Sequence, residues 1–255
     1  MIPAPSIKSI QAALDRGLGI KVRRVTKRVP QINFGLIVAG RPPPPQYKTE
    51  LIEERTEQWS KLVGLLFCMP TSKPGRDEIL PNLDYFHHRS ALFVDFFCIG
   101  YGTEPNGDAD RSSSRPAAIV DNAQWRFTPS EFNACRAEIE SHTKWRFSGE
   151  TDLLLAVARK PKNGGATLDY SSVIACNLEE MIRDNAIPSV RGFFEKIFQF
   201  GEQYKGADPV WELSDQFGLA GGGKLLEESV LSLLPEVVKK QYKATKHLAI
   251  SDVSR

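Results

Sequence analysis

The sequence predicts an α/β protein, of the α+β kind, in which a mixed, partly antiparallel sheet is flanked by helices and followed by a helical C-terminal region. Three observations carry that prediction. Residues 92–99 (LFVDFFCI) form a continuous apolar run, as expected of a central strand buried on both faces. Residues 153–158 (LLLAVA) form another, and the turn Asn163-Gly164-Gly165 joins it to a returning strand over 170–176, the plan of an antiparallel hairpin. From Ser189 onward the apolar residues change to helical spacing. The expected division is a sheet domain over 1–186 and a helical region over 187–255, packed on it or continuous with it.

Composition bounds the function. At 255 residues, with 41% hydrophobic and 25% charged, the chain is long enough to bury a sizeable core. A net charge of +2, from 33 basic and 31 acidic residues, lacks the basic excess of a dedicated nucleic-acid binder, so nucleic acid could be a partner only through a local patch. Cys68, Cys98, Cys135 and Cys176 sit in apolar runs with no C-x-x-C pair, which reads as reduced core thiols in a reducing compartment. The first residues lack the basic-then-apolar plan of a signal peptide, and no apolar run approaches the roughly 18 residues of a membrane helix. A soluble cytoplasmic protein without a membrane partner is expected.

In chain order, Ser6 is placed to cap a short helix carrying Ile7, Ile10, Ala13 and Leu14, which Gly17 ends. Residues 20–39 alternate β-branched with basic residues and then become apolar, which predicts two strands meeting near Pro30. Side chains two apart on a strand share a face and can track a phosphate backbone, so Arg23, Arg24, Lys27 and Arg28 are candidate phosphate contacts. An edge strand guarded by charge is the structural alternative. The prolines of 42–45 make a rigid extended spacer. Leu51, Ile52, Trp59, Leu62, Val63 and Leu66 keep helical register, which predicts the longest helix of the N-terminal half over 47–66.

Residues 70–81 read as a loop, and His87-His88 as a solvated loop pair, because adjacent side chains on an extended chain diverge and chelate poorly unless the backbone turns. Asp95 interrupts the apolar run of 92–99. A buried carboxylate needs a partner or a function, so Asp95 is a candidate metal ligand, one half of an ion pair with an arginine, or a residue on an exposed face of the strand. Residues 102–115, rich in Gly, Asp, Ser and Arg, predict a long surface loop without the residue order of a calcium-binding loop. Residues 118–127 read as one strand.

Thr128-Pro129-Ser130-Glu131 then predicts a helix start with a capping box, and the helix buries Phe132, Cys135 and Ile139 with Glu138 and Glu140 beside that face. Beyond it, Ser148-Gly149-Glu150-Thr151-Asp152 is a glycine turn that delivers a carboxylate onto a buried strand. Gly149-Glu150-Thr151-Asp152, with Glu138 in the preceding helix, resembles part of the catalytic core of the restriction-endonuclease-like nucleases. In that family a helix bearing Glu precedes a strand with Asp in a Gly-x-x-Asp setting, and the neighbouring strand carries Glu-x-Lys. The resemblance covers residues 128–177 and implies Asp152 and Glu138 as catalytic carboxylates, with Asp152 and Asp95 on Mg²⁺, for phosphodiester hydrolysis. Ala175-Cys176-Asn177 stand where Glu-x-Lys belongs, so the implied site is degenerate. The structural alternative is an Asp152 bonded to the backbone amides of its own turn.

Asn177 is placed to cap the next helix. Val190, Phe193, Phe194, Ile197, Phe198 and Phe200 then form an aromatic-rich helical face that covers the sheet or meets a partner, and Asp208-Pro209 starts a further helix. Residues 218–224 fit G-x-x-x-x-G-K, but Leu225 replaces the magnesium-binding Ser or Thr and no strand precedes it, so a hinge is expected. Residues 225–243 form an amphipathic segment divided by Pro235, and the tail from Ser251 reads as loose. Together these features predict an interaction or accessory subunit that binds another macromolecule, a protein foremost, without catalysis of its own. The alternative is a metal-dependent, nuclease-like phosphodiesterase with a degenerate site, and Mg²⁺ is the one cofactor it implies.

Overall fold

A computed structural model describes residues 1–31, 46–90, 94–103, 114–203, 230–245 and 249–255. Strand β1 (Ile2–Ala4) leads into helix α1 (Ile7–Gly17), the long strands β2 (Gly19–Gln31) and β3 (Gln46–Gln58), and β4 (Ser60–Phe67). Two short helical turns and α2 (Leu83–Ser90) precede β5 (Val94–Ile99). Next come β6 (Tyr101–Gly102), β7 (Arg115–Val120), β8 (Ala123–Phe127) and α3 (Pro129–His142). The hairpin of β9 (Asp152–Arg159) and β10 (Thr167–Asn177) is followed by α4 (Leu178–Arg183), α5 (Val190–Gln203), α6 (Glu236–Thr245) and β11 (Ile250–Asp252).

Six of the strands form the mixed sheet that the sequence predicts, in the order β1-β5-β4-β9-β10-β11. β1, β5 and β4 run parallel, while β9, β10 and β11 each run antiparallel to the strand before them in that order. β4, β5 and β9 are buried almost from end to end, which is why β5 and β9 read as unbroken apolar runs. Phe96 of β5 sits opposite Gly64 of β4, with its ring 5.0 Å from Phe194 and 5.3 Å from Phe198 of α5. Phe67, three residues beyond Gly64 and so on the other face, packs 5.7 Å from Phe132 of α3. The aromatic face of α5 thus covers one side of the sheet and α3 the other.

Several expectations are corrected. Residues 47–66 are not a helix: β3 pairs with β2 over 13 residues in an antiparallel ribbon, and β4 enters the main sheet. The register supplies a reason, since β2 lies beside β3 residue for residue from Gly19–Gln58 to Gln31–Gln46, and the backbone pairing of that ladder competes with a helix-forming composition. β2 ends at Gln31, next to Pro30, where the first of the two expected strands was to end. Residues 118–127 are two strands, because Asp121 and Asn122 take positive φ (48° and 62°) in a tight two-residue turn. Residues 74–82 form helical turns, and His87-His88 lie on α2 and not in a loop.

Thr128 precedes α3 as expected but makes no side-chain cap bond, whereas Ser6 and Ser9 form a reciprocal capping box and Asn177 accepts from the Glu180 amide at 2.9 Å. The tail is not loose over 250–252, where β11 pairs with β10. The second strand of 20–39, the proline spacer, most of the 102–115 loop, the helix after Asp208 and the 218–224 segment lie outside the described residues. Among the described residues no helix is long and apolar enough to cross a membrane.

Candidate functional site

Asp152 opens β9, and its carboxylate is committed to the turn that delivers it. Oδ2 accepts from the Trp145 indole N–H at 3.1 Å and the Ser148 amide at 2.9 Å, and Oδ1 accepts from the Ser148 hydroxyl at 2.7 Å. Gly149, at φ +88°, allows the chain to wrap around the carboxylate this tightly. Burial pushes the Asp152 carboxyl above the ordinary range, against the lowering effect of those three donors. This is the alternative in which Asp152 is bonded within its own turn, with an indole added.

The other predicted carboxylates stand apart from it. Asp152 is paired with Phe67 and Asp95 with Val63, four residues along β4 and two strands across, so their Cα atoms are separated by roughly 16 Å at ordinary strand spacings. That is beyond the reach of one metal ion. Asp95 accepts instead from Lys61 Nζ at 2.6 Å, both side chains being buried, so its partner is a lysine and not the expected arginine. Glu138 lies exposed on α3 beside Pro5 and Ser6, and the acidic neighbour acting on Asp152 is Glu150. Among the described residues Asp152, Glu138 and Asp95 form no cluster of metal-ligand geometry. Arg23, Arg24, Lys27 and Arg28 lie on β2, in backbone register with Glu54, Glu53, Glu50 and Thr49 of β3.

The turn that wraps Asp152 also walls a cavity that the sequence did not announce. It measures about 530 Å³ and lies beyond the C-terminal end of β4, between the start of α3, the start of β7 and the Ser148-Gly149 turn. Its floor is aromatic: Phe132 lies 5.6 Å from Phe127 and 5.4 Å from Phe147, ring centre to ring centre. Arg136 on α3 holds its guanidinium 6.0 Å from the centre of the Phe147 ring, and its Nε is buried with no hydrogen-bond partner among the described residues. Arg115, at the start of β7, and Asn133 also line it.

An apolar cavity of this size with a few convergent polar groups has the make-up of a small-ligand or side-chain pocket. Two guanidiniums select a carboxylate or phosphate, which they can bind in a bidentate manner, and the phenylalanines select an apolar body attached to it. Among the described residues beside the cavity, the thiol of Cys68 is protonated and the hydroxyl of Ser148 is hydrogen-bonded, to Asp152 Oδ1 at 2.7 Å. Burial pushes the adjacent Cys68 thiol up to about 11, which keeps it protonated near neutral pH. The Ser72 hydroxyl donates to the Met69 carbonyl, and the Thr151 hydroxyl lies within 3.1 Å of Glu179 Oε1. One signal for the pocket was present in the sequence: Arg136 falls four residues after Phe132 and next to Cys135, at the margin of the apolar stripe of α3. Its partners come from segments scattered over residues 69–149 and carried no shared motif.

Comparison with protein-family models, with curated proteins and with solved structures finds no match.

Proposed function

We propose that the protein is a non-catalytic interaction component whose cavity between α3 and the Ser148-Gly149 turn holds an acidic segment of a protein partner, with an aromatic or large aliphatic side chain seated on Phe127, Phe132 and Phe147. The observation that carries this reading is the buried, unpartnered Nε of Arg136 above an aromatic floor. A buried donor left unpaired costs about 1–3 kcal/mol, and an incoming carboxylate removes that cost while forming a charge-assisted bond. The commitment of Asp152 to Trp145 and Ser148 counts against the phosphodiesterase alternative.

The test is titration calorimetry of the intact protein with short acidic peptides containing phenylalanine or leucine, each compared with the same peptide carrying amides in place of carboxylates. Saturable binding of the acidic series alone is expected, weakened about tenfold or more by Arg136→Gln, as for loss of a hydrogen bond to a charged group. Failure of wild type to bind, or equal binding by Arg136→Gln, overturns the proposal. Incubation with Mg²⁺ and nucleic acid addresses the alternative, and no cleavage above that of Asp152→Ala is expected.

A further inference from the structure

We propose that Asp84, His88 and Asp121, with His87 beside them, form a binding site for a divalent transition-metal ion, a site distinct from the cavity and independent of its reading. Asp84 and His88 lie one helical turn apart on α2, and Asp121 comes from the tight turn between β7 and β8. His88 Nε2 is 3.0 Å from Asp121 Oδ1 and 3.7 Å from Asp84 Oδ1, and the donor atoms of all three residues lie within 4.8 Å of one another. Zinc holds nitrogen and oxygen ligands at about 2.0–2.2 Å, so two donors on one tetrahedral ion are roughly 3.4 Å apart. The two His88 separations bracket that value. A mixed imidazole and carboxylate set suits zinc, nickel or cobalt better than magnesium or calcium, which favour oxygen alone.

His87 supplies a second, separate indication. Its Nδ1 contacts the Met1 carbonyl oxygen, an acceptor to which the ring must present its proton. In the neutral ring the remaining lone pair is then on Nε2, which lies 3.0 Å from Asp121 Oδ2. Nε2 and Asp121 Oδ2 are thus placed as two donors of one ion would be. Fixing one ring nitrogen on a backbone carbonyl so that the other can coordinate is the usual arrangement of a metal-ligating histidine. The Asp121 amide donates to Asp84 Oδ1 at 3.0 Å, which holds the two carboxylates together from outside the ion. Asp84, His88 and Asp121 are each more than half exposed, so an ion placed there keeps access to water and joins α2 to the β7–β8 turn.

The test is titration of the intact protein with zinc chloride and, for a spectroscopic signature, cobalt chloride. One ion per chain is expected, with cobalt showing weak visible bands of nitrogen and oxygen ligation and no thiolate charge-transfer band. His88→Ala and Asp121→Asn are each expected to weaken binding about tenfold or more, His87→Ala to weaken it measurably, and His142→Ala to leave it unchanged. Zinc is expected to raise the thermal midpoint of the wild type and not of His88→Ala. Absence of saturable binding, equal binding by wild type and His88→Ala, or a thiolate band overturns the proposal, and the cluster is then a set of imidazolium–carboxylate ion pairs only.

Discussion

Lys61 and Asp95 face each other at 2.6 Å with side chains 5% and 7% exposed, inside a sheet otherwise filled by Leu, Val and Phe. Removing one partner strands the other charge in the core, so Lys61→Met is expected to lower stability by about 3–5 kcal/mol in urea unfolding. Replacing both residues with apolar ones of similar size should recover most of that loss, because the pair's attraction largely offsets its own desolvation. Asp152 calls for a different experiment. Its folded-state pKa is raised by burial, so the folded chain binds the proton more tightly than the unfolded chain does. Its contribution is therefore fully present below the unfolded carboxyl value and is lost as pH rises through the raised folded value. The stability of wild type relative to Asp152→Asn should fall across that window and level off above it, as read from urea midpoints at stepped pH. A flat difference would mean that the three donors fully offset the burial.

Among the elements, β4 and β5 owe their close packing to Gly64. A Cβ built there would stand 2.6 Å from the Phe96 ring, which is itself held between Phe194 and Phe198. Gly64→Ala should then cost about 1–3 kcal/mol by overpacking despite the better strand propensity of alanine, which denaturant unfolding will show. Helix α3 joins structure to site. Phe132, Cys135 and Ile139 fasten it to the sheet, and Arg136, on the margin of the same stripe, is thereby held at the cavity edge. For this reason Arg136→Gln should weaken binding without lowering the unfolding midpoint, and should raise the midpoint to the extent that the unpaired Nε is removed, a combination that separates a binding role from a packing one.

For the molecule as a whole, the last residues close the sheet. The Val253 amide donates to Val173 O at 2.9 Å, the Lys144 amide donates to Val253 O at 2.9 Å, and the Asn177 amide donates to Ala249 O at 2.8 Å. Residues 249–253 thus tie β10 to the connection between α3 and β9, and they bury Ala249, Ile250 and Val253. Deleting 249–255 should remove stability on the order of 3–6 kcal/mol from lost apolar burial and uncover the edge of β10. Calorimetry should show a lower midpoint and light scattering a tendency to self-associate. An unchanged midpoint would make the strand dispensable.

The residues alone determined β5, the β9–β10 hairpin and the apolar face of α5, because burial leaves a local pattern: unbroken apolar runs in the sheet, and apolar spacing of three and four in a helix. They also located the Gly149–Asp152 turn and posed its alternatives, and Asp152 is held by Trp145 and Ser148, seven and four residues before it. Tertiary structure alone decided what depends on a distant partner. The composition of 46–58 favours a helix until β2 lies beside it, and adjacent histidines diverge until α2 turns them toward Asp121. The cavity was invisible for the same reason. Its walls come from four segments between residues 69 and 149, and their convergence is a property of the closed chain that spacing along the sequence does not record.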